Sequence, residues 1–395
     1  MININKVKKK SILIVADLFD INFGSEFIVP YKFVQWNAEN KQIKFIKILV
    51  PRRNDNIEKL KNRFQFLGSK IEVIEYNFIF TKNSLPHKYK ILFILDLMIF
   101  YIKSNAVIKK FDIDIVHKVN QVNFFFGFLS TLLMRRKIIV GPISGLFYSS
   151  LDKLPLKSKC YYFFYNISIF IIRNLFFQTA KLKNTILISA TTKDLKILKN
   201  KKFDFLFEIS ELPEILIKFK KINNSTNDIT KVLWAGGFIE RKRPLLYLQI
   251  AKESQFHHLP FEFTMIGSGP LEKDIRRFIS NNNLKNINLL TSIPRNKFLK
   301  KIPKFDIAIA TSMREVNSVF IYESLLADLK VIANNENVNS DWIKNSLNIV
   351  DTSNEKDEIN EFIKILSGNL HKKDDTLDLV IRNQKKSYMK LLELY

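Results

Sequence analysis

One cysteine, ten glycines and no unbroken apolar run long enough to cross a bilayer set the first limits on this 395-residue chain. Cys160 has no partner, which excludes a disulfide framework and a cysteine-rich zinc site and fits a reducing compartment. Glycine is so sparse that any loop motif built on it is expected in a worn form. The two most apolar segments are 88–110 and 159–177. Asp96 interrupts the first, and Asn166, Ser168 and Arg173 break the second. Neither holds the roughly 18 uncharged apolar residues that a spanning helix needs. The start, MININKVKKKSILIVADLFD, is basic and then apolar, as a secretory signal is. Its apolar part is short, however, Asp17 and Asp20 follow, and no small-residue cleavage site appears, so a buried first strand is expected. The histidines lack metal-ligand spacing: His257 and His258 are adjacent and His371 stands alone.

What the chain does have is apolar substance and positive charge. Hydrophobic residues make up 47%, which excludes a disordered chain. Its length calls for two domains of roughly 150–200 residues. The net charge of +25 is unevenly placed. Residues 1–225 hold 38 Lys and Arg against 17 Asp and Glu, an excess of +21, and the remainder carries only +4. Such a field favours nucleic acid, phospholipid headgroups or phosphorylated substrates.

Short apolar runs rich in branched residues alternate with helical patterns. Strands are expected at 10–19, 45–53, 71–78, 114–120, 136–144 and 184–192, with helices such as 26–40 and 56–67 between them. A second series follows at 231–238, 261–270, 287–294, 305–312 and 330–335. This alternation predicts βαβ units and parallel sheets. The polar INNSTNDIT at 222–230 is the natural linker. The expected architecture is α/β, with two doubly wound Rossmann-like domains facing a central cleft, the default position for a ligand. The segments 88–110 and 159–177 read either as buried helices or as helices lying in a membrane interface, apolar side down and lysines toward anionic headgroups.

Four stretches could carry chemistry. GGFIERKRP follows a strand, so Gly236 with Arg241 and Lys242 can hold phosphate; equally, it can be a βα turn with a solvated basic run. Gly267 and Gly269 in MIGSGPLEKDI bracket a tight turn that a nucleotide could lie against, or that needs glycine for conformation alone. In FDIAIATSMREVNSVFIYESLLA, Glu315 follows a strand and Ser318 is the expected N-cap of a helix carrying Glu323. The first turn of that helix could bind a diphosphate, and carboxylates suit the vicinal hydroxyls of sugars. His117 in FDIDIVHKVN is the fourth, where a lone strand-end histidine is often structural.

Taken in order, G-x-x-x-x-R-K, G-x-G-P-L, E-x-x-x-x-x-x-x-E and KVIA resemble the retaining GT-B glycosyltransferases of family 4, the glycosyl transferases group 1 domain. The first half is similar to that family's acceptor domain at FDIDIVHKVN, GPISG (141–145) and ILISATTKDLKIL. The resemblance covers most of residues 10–350. It implies that Glu315 contacts the donor sugar and Glu323 the ribose. It also implies that Lys242, with the backbone at Ser318 and Val319, neutralises the donor diphosphate. His117 would lie near the reacting centre, and Gly24 in the first loop would lie under the phosphate. The chain departs from the pattern at Gly237, where the family has arginine, at Val316 and Ser318, where it has glycines, and at Asp328, where it has glycine.

The resemblance implies a retaining, metal-independent transferase with no cofactor, taking a nucleotide-diphosphate sugar to a glycan or lipid-linked acceptor. Residues 1–221 would bind the acceptor, residues 231–395 the donor, and the last helix could pack back on the first domain. Synthesis of a bacterial surface polysaccharide, in the cytoplasm or at the inner face of the plasma membrane, follows as the expected setting. Two rival readings remain: an inactive homologue serving as a binding subunit, and a basic nucleic-acid-binding protein. The second lacks any helix-turn-helix, RNP-type strand or zinc module.

Overall fold

The computed structural model describes residues 9–19, 29–53, 56–65, 68, 70–81, 90–119, 124–143, 156–200, 229–313, 315, 318–338, 341–352, 354–368, 370, 378, 382, 386 and 389–391. Two six-stranded sheets organise them, and every strand pairing is parallel.

The first sheet contains β1 (Lys10–Ala16), β2 (Ile43–Pro51), β3 (Ile71–Tyr76), β4 (Ile115–Val119), β5 (Ile138–Ile143) and β6 (Ile186–Ser189), in the order 3-2-1-4-5-6. β1 shows why these runs become strands. From Ser11 to Ala16 it is buried on both faces, so it carries no polar alternation. Ile12 and Ile14 point into a core with Phe33 and Leu60, from α1 (Val29–Glu39) and α2 (Asn56–Phe64). Leu13 and Val15 point the other way, toward Leu97, Leu129 and Phe176. Those three come from α3 (Lys90–Lys110), α4 (Phe124–Leu133) and α5 (Leu156–Leu182). Each fully buried aliphatic side chain contributes about 1.5–3 kcal/mol. α6 (Thr192–Asn200) adds Leu198 to the second core.

The apolar segments expected at 88–110 and 159–177 thus supply α3, from Lys90 on, and much of α5, which lie on the sheet. Asp96, which breaks the apolar run of α3, is 1% exposed. Its carboxylate accepts the N–H groups of Ile79, Phe80 and Thr81 and the Thr81 hydroxyl, at 2.7–3.1 Å. It fastens the loop before α3 and offers no charge to the surface.

The second sheet contains β7 (Thr230–Ala235), β8 (Phe261–Gly267), β9 (Ile287–Thr291), β10 (Ile307–Ala310), β11 (Lys330–Asn334) and β12 (Asn348–Val350), in the order 12-11-10-7-8-9. It is covered by α7 (Pro244–Phe256), α8 (Glu272–Asn281), α9 (Arg295–Lys301), α10 (Val319–Leu326) and α11 (Glu355–Ser367). β12 was not among the expected strands: three residues at an edge leave little pattern to read. The direction of winding reverses between β1 and β4 in one sheet and between β7 and β10 in the other, where ligands of such sheets collect.

The two halves meet where Asp341 forms an ion pair with Lys196 at 3.0 Å and donates its N–H to Thr192 Oγ1 at 3.3 Å. Leu391, near the end of the chain, is fully buried in the core of the first sheet beside Ile12 and Ile48. Most of the linker at 222–230 lies outside the described residues, and Thr230 is already the first residue of β7.

Candidate active site

The reversal point of the second sheet gathers most of the residues singled out from sequence. β7 ends at Ala235, and the chain turns through Gly236 and Gly237 into a short 3-10 turn, Glu240–Lys242. β10 ends at Ala310 and leads to Glu315. Thr311 ties the two loops together. Its hydroxyl donates to the carbonyl oxygen of Lys242 at 2.8 Å and accepts the Trp234 indole N–H at 2.9 Å. The N–H of Met313 donates to the Arg241 carbonyl at 2.9 Å.

This bracing brings Lys242 Nζ onto Glu315 Oε2, with Arg241 3.5 Å from Oε1. Glu315 is 9% exposed. Burial pushes its carboxyl up, but Lys242 and Arg241, with hydrogen bonds from Lys242 and Ser312, outweigh it and hold Glu315 below the usual carboxylate range. One carboxylate and two cations are therefore charged together at the mouth of the strands.

Gly267 and Gly269 have a steric reason to be glycine. A Cβ on Gly267 would lie 1.9 Å from the Gly236 carbonyl oxygen. One on Gly269, at φ 154°, would lie 2.7 Å from the Phe238 carbonyl oxygen. The loops after β7 and β8 are pressed together, and Phe238 N–H donates to the Ser268 carbonyl at 2.8 Å. At Gly237, by contrast, a Cβ would meet only the Ser268 carbonyl oxygen, at 4.0 Å, and its φ lies outside the left-handed region. The backbone there has room for the arginine that this chain lacks.

Ser318 occupies the N-cap position of α10 in an extended conformation, but its side chain accepts no capping hydrogen bond, contrary to the expected cap. Val319 is the first helical residue. One turn further, Glu323 is 2% exposed and forms an ion pair with Arg295, the first residue of α9. Burial raises the Glu323 carboxyl to about 7 against the opposing pull of Arg295. Sequence reading missed Arg295. The available signal was an arginine directly after Pro294, at a strand-to-helix turn on the carboxyl edge of the sheet. Val316 lies outside the described residues, as does Gly24.

His117 belongs to the first sheet. It lies within β4, opposite Ile14 and Ile139, and is fully buried. Its Nε2 is 3.0 Å from the Gly141 carbonyl oxygen, which can only accept, so Nε2 carries the proton. The ring meets Phe33 edge-on at 4.8 Å. Burial drives its pKa down to about 3, against the Gly141 hydrogen bond and with help from neighbouring Lys118. In this structure the imidazole is packed inside the sheet, with Nε2 directed to the Gly141 carbonyl.

The reversal point of the first sheet carries charge that sequence reading did not foresee. Asp17, just past β1, and Lys118, in β4, are both fully buried and form an ion pair at 2.8 Å. The Tyr101 hydroxyl donates to the same Asp17 oxygen at 2.7 Å. Burial raises Asp17 above the usual carboxylate range despite Lys118, Tyr101 and Arg53. A lysine and an aspartate more than a hundred residues apart give no local pattern. Among the described residues, no group of three His, Cys, Asp or Glu side chains could hold a metal ion.

Residues 217–385 match the family model described as Glycosyl transferases group 1. No curated protein matches the chain. Solved structures match over nearly its whole length. A glycosyltransferase from Rickettsia africae shares 18% identity at a TM-score of 0.61, with 98% of each chain covered. The lipopolysaccharide outer core galactosyltransferase WaaB shares 11% at 0.62, covering 97% of this chain and 98% of that one. Anabaena HepE, solved with UDP and glucose, shares 13% at 0.56, covering 96% and 95%. These likenesses place the two sheets among the GT-B folds.

Proposed function

Since residues 217–385 match the glycosyl transferases group 1 model, we infer that this chain is a glycosyltransferase that moves a sugar from a nucleotide-diphosphate donor to a hydroxyl of a glycan or lipid-linked acceptor, with retention at the anomeric carbon. The observation that carries the reading is the Lys242–Glu315–Arg241 cluster at the reversal point of the second sheet.

Lys242 and Arg241 now lie on Glu315. A diphosphate, with more charge than one carboxylate, would draw both cations to itself and release Glu315 to the sugar hydroxyls. The N-terminal turn of α10, at Ser318 and Val319, would face the same phosphates. Glu323, once released from Arg295, would accept the ribose hydroxyls. As the bond between the anomeric carbon and the phosphate oxygen breaks, negative charge grows on the leaving diphosphate, and Lys242 and Arg241 would stabilise it. The acceptor oxygen bonds to the anomeric carbon on the same face, and the departing phosphate takes its proton. Closure of the halves would align the partners and exclude water. WaaB acts on lipopolysaccharide, and HepE was solved with UDP and glucose; a bacterial surface glycan as product and a uridine donor are therefore the first combination to try.

Thermal-shift screening against UDP-, GDP- and other activated sugars tests the donor half. One of them should raise the melting temperature, since a ligand that binds only the folded state stabilises it. Glu315→Gln and Glu315→Ala should then abolish transfer while leaving nucleotide binding largely intact. Unchanged cellular glycan output with both variants would instead leave the inactive-subunit reading standing.

A further inference from the structure

Seventeen large apolar side chains are exposed among the described residues, and fourteen belong to the α3–α4–α5 layer or to the loop before it. α5 shows the pattern most plainly. Ile169, Phe176, Phe177 and Ala180 are buried in the core beneath it. On the outward side, Phe163, Phe164, Ile167, Phe170, Ile171 and Leu175 are 42–66% exposed. Their spacing lays them along one arc, about 18 Å long at 1.5 Å per residue. No charged residue interrupts it: Arg173 is turned away and half-buried. Ile91, Leu92, Leu95 and Ile102 continue the exposed apolar surface on α3. A water-facing helix would carry charge at such positions.

On the helices themselves the exposed charge has one sign. The three helices contain a single acidic residue, Asp96, which is buried and bound to backbone N–H groups. Exposed basic residues gather at the helix C-termini: Lys109 and Lys110 on α3, Arg135, Arg136 and Lys137 after α4, and Lys181 on α5.

We propose that this layer is a docking face for an anionic lipid bilayer. An apolar centre with a margin in which cations outnumber carboxylates, Asp112 and Asp114 being exposed after α3, complements acyl chains beneath anionic headgroups. A second copy is a poorer occupant, because two identical cationic margins would be brought together. α3 does not cross the bilayer: it is long and apolar enough by composition, but Phe93, Leu97, Phe100 and Tyr101 hold one side of it in the core. It lies along the surface.

The face also has a direction. In βαβ units each helix runs back against its strands. The exposed apolar residues at the start of α3, Ile91, Leu92 and Leu95, therefore lie toward the carboxyl edge of the first sheet, the edge of Asp17 and Lys118, while the arc on α5 runs along the middle of its helix. The basic helix ends lie at the opposite edge. Docking would bring the acceptor side of the cleft close to the headgroups; this clause alone rests on the transferase reading.

Co-sedimentation of the full chain with mixed phosphatidylcholine–phosphatidylglycerol vesicles and with phosphatidylcholine vesicles, at low and high salt, tests the proposal without any donor or acceptor. The mixed vesicles should bind the chain, and salt should weaken that binding. A Phe164→Ser, Phe170→Ser double variant and a Lys109→Glu, Lys110→Glu double variant should each lose about tenfold in partition. Both should keep the wild-type melting temperature, because these side chains are already in solvent. Absence of binding to the mixed vesicles at low salt would overturn the proposal, as would wild-type binding by the serine variant. A dimer dissolved by the serine changes, with no vesicle binding, would assign the face to a second copy and overturn it too. A failed transferase reading would show separately, as no thermal shift with any activated sugar.

Discussion

At the scale of single residues, the second half places charge where a diphosphate would need it and leaves one position unfilled. Gly237 has space for a side chain and no conformational need to be glycine. Gly237→Arg should therefore add a cation beside Lys242 and tighten nucleotide-diphosphate binding about tenfold, roughly 1.4 kcal/mol, in a calorimetric titration. An unchanged affinity would move the diphosphate away from this loop. Glu323 supplies a pH dependence. Its folded pKa, about 7, lies above the ordinary value, so the folded chain binds more protons than the unfolded one between about 4.5 and 7. Its contribution to stability is present at low pH and falls as pH rises through that window. Ribose binding wants the carboxylate, so donor affinity should climb from pH 6 to pH 8 and flatten in Glu323→Gln. The sequence made Glu315, Glu323 and Lys242 legible because ordered motifs fix them. It concealed Arg295, Asp17 and Lys118, whose meaning arises only when strands far apart in the chain lie side by side. His117 is not decided by its sequence context, because a strand-end histidine looks alike whether its ring faces a cleft or a core.

At the scale of elements, two joints bear on how the donor loops are held. Arg243 links the 3-10 turn to α7 with φ 49°, an unusual conformation for arginine. Its guanidinium is paired at 2.8 Å with Glu358 of α11, which is fully buried and also takes the Asn334 amide at 3.2 Å. Glu358→Ala would leave a buried cation without its carboxylate, a change that costs about 3–5 kcal/mol. Chemical denaturation of the variant should show that loss, and donor affinity should fall with it, since Lys242 is the preceding residue. The second joint is the end of α10. Asp328, at φ 68°, closes the helix where a glycine would be at ease; its N–H donates to Leu325 and that of Leu329 to Ser324. Asp328→Gly should raise stability by about 0.5–1 kcal/mol, read as a higher melting temperature. Strands were legible to within three residues at each end wherever an apolar run is buried on both faces. β12 was not, because three edge residues carry no such run.

At the scale of the whole molecule, the two-domain architecture was legible because the alternation of strand and helix restarts after the polar stretch at 222–230. The layout of the first half was legible only in part: composition showed a basic, aromatic half, but which helix faces lie outward depends on the packing beneath them. The end of the chain shows the same limit. Leu391 contributes to the core of the sheet that opens the chain, and Leu391→Ala should cost about 2–5 kcal/mol. Hydrogen exchange should record the loss in β1 and β2, 340–381 residues away in sequence, and leave β7 to β10 little changed. The same contact alters the topology of the protein. Because α11 packs in the second half and Leu391 in the core of the first, the chain passes between the halves twice, and the second half is in effect an insertion within the first. A body held by two tethers can swing about the line joining them but resists twisting across it. Opening and shutting of the cleft would then follow a single arc.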